Sequence, residues 1–133
     1  MIQILHIEDQ LDHFELARLA VARLPIMSYE RAENVEEAVA CLRLIKYDLV
    51  LVDLDLDDSA GLDTIDRVKA EHPESIIIVL SNRDPEEYGM RSIHAGADDF
   101  VPKAELANNS LPRIIRHAFA RRDKLANRPF ATL

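Results

Sequence analysis

The chain of 133 residues reads as one α/β domain, a doubly wound five-stranded parallel sheet with helices on both faces. Three observations predict this. Residues 49–52 (LVLV) and 76–80 (IIIVL) are apolar at every position, as strands buried on both faces are. Around them the apolar residues fall at helical spacing, so strand and helix signals alternate strictly along the chain. The central run also ends in polar residues, beginning with Asp53, where open α/β sheets place their ligands. The length suits a single domain with one good core.

Residues 1–7 give a short apolar strand that closes on Glu8 and Asp9. From Gln10 onward, Leu11, Phe14, Ala17, Val21 and Leu24 recur at helical spacing until Pro25 stops the helix. Residues 27–32 are polar and predict a weak strand near a sheet edge. Asn34 and Glu37 resemble a capping box, and Val35, Ala38, Val39 and Leu42 continue as a helical stripe. After the central strand and an acidic loop, Leu62, Ile65 and Val68 mark a third helix that ends before Pro73. The strand over 75–80 runs into Ser81. Asp84-Pro85-Glu86-Glu87 opens a fourth helix, with proline and acids in its first turn. Its main apolar residues are Tyr88 and Ile93, Gly89 lies inside it, and Gly96 ends it. Residues 98–102 form the last strand, followed by Lys103. Ser110 is expected to cap a final helix with Leu111, Ile114, Ile115 and Ala118 on its apolar stripe. Right-handed crossovers favour the flavodoxin-like strand order 2-1-3-4-5.

Composition narrows the function. The chain is 48% hydrophobic and 30% charged, as ordinary globular domains are, and its net charge of -8 argues against general affinity for nucleic acid or an anionic membrane. Cys41 stands alone, which rules out a disulfide framework and a cysteine zinc site; on its helical stripe it reads as buried and inert. No window approaches the roughly 18 apolar residues of a membrane span. The N-terminal residues turn acidic too early for a signal peptide, so a cytoplasmic protein is expected. His6, His13, His72, His94 and His117 show no paired spacing suggestive of zinc or catalysis, and His6 reads as a satisfied core histidine.

In this topology the carboxyl ends of four strands share one edge, which gathers Glu8, Asp9, Asp53, Ser81 and Lys103. Carboxylates this close repel one another when ionised. A hard divalent cation relieves the repulsion, and Mg²⁺ favours a few protein oxygens together with water and substrate phosphate. The set suits phosphoryl transfer to a carboxylate nucleophile, with Lys103 balancing charge and Ser81 donating to one oxygen.

The segments HIEDQ, LVDLDLDDSAG, VLSN and GADDFVPK follow in that order with fitting gaps. Through them the chain resembles the receiver domain of bacterial two-component response regulators, from about residue 2 to about residue 125. Each segment is weak alone, but four in register are specific. The resemblance implies that Asp53 is the phosphoacceptor. It implies a Mg²⁺ (or Mn²⁺) site with Asp9 as direct ligand, Glu8 acting through water, and the main-chain carbonyl of Asp55 completing the set. Phe100 takes the place of the family's rotating aromatic, partnered by Ser81. A sensor histidine kinase or phosphotransfer protein would supply the phosphoryl group. Output would pass through the face of the fourth helix, fifth strand and fifth helix to an effector domain or protein, or to a homodimer through that face. Self-phosphorylation and self-dephosphorylation are implied, not turnover of an outside metabolite. The receiver would span 1–126, with 127–133 a tail or the start of a linker, in either a stand-alone regulator or an excised domain.

Three residues depart from the family pattern. Asp57 replaces the usual proline, which predicts a looser, more acidic loop. Phe100 replaces the commoner Tyr, so its inward state would gain packing but no hydroxyl hydrogen bond. Ala104 replaces a proline after Lys103, and since a non-proline cis bond costs roughly 3 kcal/mol, a trans bond is expected. The run 53–58 brushes a calcium loop but fails it, with Asp58 where glycine is needed and Thr64 where glutamate is needed. Two alternatives stay open. A phosphohydrolase of the haloacid dehalogenase type would use Asp53 and Asp55 as its acid pair, although the order of the acids and the short chain count against it. A pseudo-receiver would act only as a binding module, against which the complete acidic, hydroxyl and lysine set stands. The basic residues of the last helix (Arg113, Arg116, Arg121, Arg122, Lys124 and Arg128) read either as a solvated face or as a lead into a partner.

Overall fold

The computed structural model describes residues 1–125, so Arg128 and the expected boundary after residue 126 lie outside the described residues. Five parallel strands form the main sheet: β1 (Ile2–Ile7), β2 (Ile26–Ala32), β3 (Leu49–Val52), β4 (Ile76–Ser81) and β5 (Asp99–Pro102). Their order is β2-β1-β3-β4-β5, as the alternating pattern predicts. Five helices connect and flank them: α1 (Leu11–Ala20), α2 (Val35–Leu44), α3 (Asp63–Glu71), α4 (Pro85–Ala95) and α5 (Leu111–Leu125).

Strand side chains alternate between faces, and this period of two sorts the core into two layers. Leu5, Ile7, Val50, Val52, Ile77 and Val79 pack on the side of α2, α3 and Tyr88 of α4. Ile4, Leu49, Leu51, Ile76, Ile78 and Leu80 face α1 and α5 instead. β3 and β4 are buried at every position, which is why their sequences carry no alternation. β2 lies at an edge and keeps most of its side chains only half-buried, as its polar composition requires.

Local chemistry departs from expectation in several places. The Asn34 carboxamide does accept from the Glu37 N–H at 2.9 Å, but the Glu37 carboxylate reaches back to the N–H of Glu33 at 2.7 Å, one residue beyond a capping box. The acidic loop forms an antiparallel hairpin, Asp55–Leu56 against Ser59–Ala60, with Asp57 and Asp58 at the turn. The Asp58 carboxylate takes the N–H groups of Val35 and Glu36 at 3.0 and 3.1 Å, so it caps the amino end of α2. The Ser59 and Thr64 hydroxyls meet at 2.9 Å and join the hairpin to α3.

The peptide after Lys103 is trans, and the chain then enters a 3₁₀ turn, Lys103–Asn108, that the sequence pattern did not predict. Ser110 turns its hydroxyl back to the Glu105 carbonyl at 3.4 Å. In α4 the sole buried residue is Ser92, whose hydroxyl has no partner among the described residues. Ile93, one of the two main apolar residues of α4, is 37% exposed. Cys41 is half-buried. Arg122 lies on its own chain, donating to the Glu74 carbonyl at 2.6 Å and to both Asp98 carboxylate oxygens at 3.0 and 3.1 Å. Arg121 donates to the Asp98 carbonyl at 3.1 Å. Among the described residues no helix is long and apolar enough to cross a membrane.

Candidate functional site

Strand register builds the site. Ile7 pairs with Val52, Val52 with Val79, and Val79 with Phe100, so these four residues form one row across the sheet. Just past that row the chain leaves the strands, with Glu8 and Asp9 after β1 and Asp53 after β3. Ser81 closes β4, and Lys103 follows β5. The five polar residues expected from the sequence therefore share one edge.

Carboxylate oxygens of Glu8, Asp9 and Asp53 lie within 4.8 Å of one another. Glu8 has no exposed surface and Asp53 is 4% exposed. Lys103 answers them: its Nζ is 2.7 Å from Glu8 Oε1 and 3.5 Å from Asp53 Oδ2. Three carboxylates against one ammonium leave negative charge uncompensated. Burial accordingly pushes the Glu8 carboxyl up to about 7, a rise that the Lys103 hydrogen bond opposes and the Asp53 charge assists. Asp9 keeps one carboxylate oxygen buried with no partner among the described residues. An orphaned buried acceptor beside two more carboxylates is the donor set a hard cation needs, so these residues fit a Mg²⁺ or Mn²⁺ ion. Asp53 Oδ1 accepts the N–H of Asp55 at 3.1 Å, which fixes the carboxylate against the start of the hairpin.

Ser81 is fully buried, and its hydroxyl accepts the Arg83 N–H at 3.0 Å. Phe100 is half-buried against the α2–α3–α4 layer of the core. Glu8, Asp9, Asp53 and Lys103 thus meet at one edge of the sheet, with Ser81 closing the neighbouring strand.

Three residues at the site were not singled out from the sequence. Arg31, on β2, donates to the main-chain carbonyls of Glu8 and Asp9 at 3.0 and 2.8 Å, bracing the acidic pair from behind. Arg83 grips the Asp55 carboxylate at 2.6 and 2.9 Å and lies 4.7 Å from the ring centre of Tyr88 on α4. His13, in the first turn of α1, places Nδ1 2.8 Å from Lys103 Nζ. Each pairs across 22 or more positions of chain, so no local pattern announces it. His6 is buried, with Nδ1 2.7 Å from the Tyr29 hydroxyl, but Nε2 has no partner among the described residues. Burial first, then the charge of Lys103, lowers its pKa to about 3, so it stays neutral.

A parallel five-stranded sheet with an acidic crevice and a lysine at its carboxyl edge defines the class of protein. The chain belongs to the response regulator receiver domain family, whose description matches residues 4–116. It is 29% identical over 97 residues to the response regulator protein PilR of Pseudomonas aeruginosa, an alignment covering 73% of this chain and 22% of PilR. The chain thus spans about a fifth of the length of that relative. Among solved structures, a CheY-like receiver domain protein from Methanospirillum hungatei superposes with a TM-score of 0.79 at 20% identity, covering 94% of this chain and 98% of the other. A response regulator from Burkholderia pseudomallei, solved with a phosphorylated aspartic acid, a calcium ion and citrate, gives a TM-score of 0.74 at 21% identity, over 100% of this chain and 78% of that one. At these identities the two structures support the fold.

Proposed function

We propose that Asp53 accepts a phosphoryl group from a phosphohistidine on a sensor histidine kinase or phosphotransfer protein, and that the chain works as a phosphorylation-controlled switch. One observation carries the reading: Lys103 Nζ lies 3.5 Å from Asp53 Oδ2 in a crevice walled by two further carboxylates. An Asp53 carboxylate oxygen forms the new bond to phosphorus while the phosphorus–nitrogen bond of the donor breaks. The bonding pair returns to the imidazole, which takes up a proton. Lys103 balances charge on the transferred group, and the Ser81 hydroxyl donates to one of its oxygens. Glu8, Asp9 and Asp53, with the main-chain carbonyl of Asp55, would hold Mg²⁺ or Mn²⁺, which supplies positive charge against the phosphoryl oxygens. The group is later lost to water, which makes the chain its own phosphatase but no catalyst for an outside metabolite.

Phosphorylation draws Ser81 toward Asp53 and lets Phe100 move inward, reshaping the α4–β5–α5 face. That face then meets an effector domain or protein, or a second copy of the chain. The sparse burial of α4 supports its role as the element that gives way. The receiver runs over 1–126 in this reading and 127–133 leads away from it. A cytoplasmic place in a phosphorelay goes with it, and the net charge of -8 supports a domain without nucleic-acid or membrane contacts.

Incubation with Mg²⁺ and acetyl phosphate followed by intact mass measurement tests the reading. Wild type should gain one phosphoryl group and Asp53→Asn none. The reading fails if wild type gains nothing or the variant gains as much.

A further inference from the structure

Lys103 has more partners than its proposed chemistry requires. An ammonium offers three N–H donors and no acceptor. One donor goes to Glu8 Oε1 at 2.7 Å and a second to His13 Nδ1 at 2.8 Å. Since the ammonium cannot accept, Nδ1 must, and the ring carries its proton on Nε2. The third donor is left for Asp53 Oδ2 at 3.5 Å. His13 comes from a different element than either carboxylate, so the lysine is held from two directions.

Without a second anchor the lysine would have room to leave. His13, Leu16, Asn82, Lys103, Ala104 and Leu106 line a cavity of about 250 Å³ beside the ammonium. Lysine sits on a flexible four-carbon stem, and a hydrogen bond to Glu8 alone leaves it free to swing about that contact.

We propose that His13 is a positioning residue: by accepting from Lys103 it keeps the remaining N–H of the ammonium turned toward Asp53. The proposal rests on the reading of Asp53 as phosphoacceptor, and it deepens that reading by assigning a role to a side chain that does not touch the reacting atoms.

Three variants separate acceptor from bulk. His13→Phe keeps a ring without an acceptor, and His13→Ala removes the ring if phenylalanine overfills the cavity. His13→Asn puts a neutral oxygen where Nδ1 stood. With Mg²⁺ and acetyl phosphate, His13→Phe and His13→Ala should take up phosphoryl groups about tenfold more slowly than wild type, the scale of one lost charge-assisted hydrogen bond. His13→Asn should recover most of the rate. Wild-type rates in the acceptor-free variants would overturn the proposal, and so would equal slowing in all three.

A second measurement uses the metal-free protein and no phosphoryl donor. His13→Phe should lower the thermal unfolding midpoint in the wild-type background and leave it unchanged in a Lys103→Met background. Equal shifts in both backgrounds would overturn the proposal. If wild type takes up no phosphoryl group at all, the functional reading fails, and this cycle still decides whether His13 holds Lys103.

Discussion

Glu8 shares its buried carboxylate between the Lys103 ammonium and the Gln10 N–H, while two more acids stand beside it. Its folded pKa is raised from 4.5 to about 7, so the folded state holds a proton there that the unfolded chain has already lost. Stability from this group is present below about pH 4.5 and is lost as pH rises through about 7. Urea unfolding of the metal-free protein should therefore show a lower midpoint at about pH 8 than at about pH 5, and Glu8→Gln should remove much of the difference. Asp58 has the opposite sign. Burial raises its carboxyl, but the Val35 and Glu36 N–H groups outweigh that and hold it below the ordinary value. Its contribution is present above about pH 4 and is lost as pH falls through the lower folded value. Asp58→Ala should cost about 1 kcal/mol at neutral pH in the same assay, the usual size of a helix cap. At this scale the common edge of Glu8, Asp9, Asp53, Ser81 and Lys103 was legible, because each closes or follows a recognisable strand. The sequence could not reveal His13, Arg31 or Arg83, whose contacts are made between parts of the chain far apart in sequence. Asp58 gave no local sign of its capping role, because its partners are backbone N–H groups 22 and 23 residues away.

Helix α4 is held at its ends more firmly than along its length. Asp84 accepts the Glu86 N–H at 3.0 Å at one end, and Gly96 closes the other with φ of 118°. A side chain on Gly96 would strain that conformation, and its Cβ would lie 2.9 Å from Lys69 Cε. Gly96→Ala should therefore cost about 1–2 kcal/mol. Gly89 has nothing within 4 Å of a built Cβ, and in mid-helix it carries only the entropic penalty of glycine. Gly89→Ala should stabilise the protein by about 0.5–1 kcal/mol. Chemical denaturation of both variants checks the pair, and a change of the same sign in each would contradict it. The sequence exposed the helix, its cap and its glycine terminator, since all are local signals. It left open where Ile93 points, because the helical repeat gives relative faces and not which of them meets the sheet. The hairpin at 55–60 was hidden for a related reason: its two-residue arms are too short for any period to register.

The molecule as a whole sets apolar layers against a crowded acidic edge. A divalent cation that binds the folded state there should stabilise it in proportion to its concentration. Millimolar Mg²⁺ should raise the thermal midpoint of wild type, and Asp9→Asn should abolish most of the rise. An unchanged wild-type midpoint would count against a cation at these carboxylates. Fold class and strand order were legible because alternation, length and right-handed crossover leave few other solutions. The far end of the sheet was not. There Asp98 accepts the Ile77 N–H at 2.8 Å and both contacts from Arg122, so β4, the approach to β5 and the last turns of α5 are fastened at one point. Of the basic residues read either as a solvated face or as a lead into a partner, Arg122 makes this fastening. On the proposed reading, strain raised near Asp53 would meet little resistance in α4, whose sole buried residue is Ser92, and more at the base of α5, where Arg122 is bonded to Glu74 and Asp98.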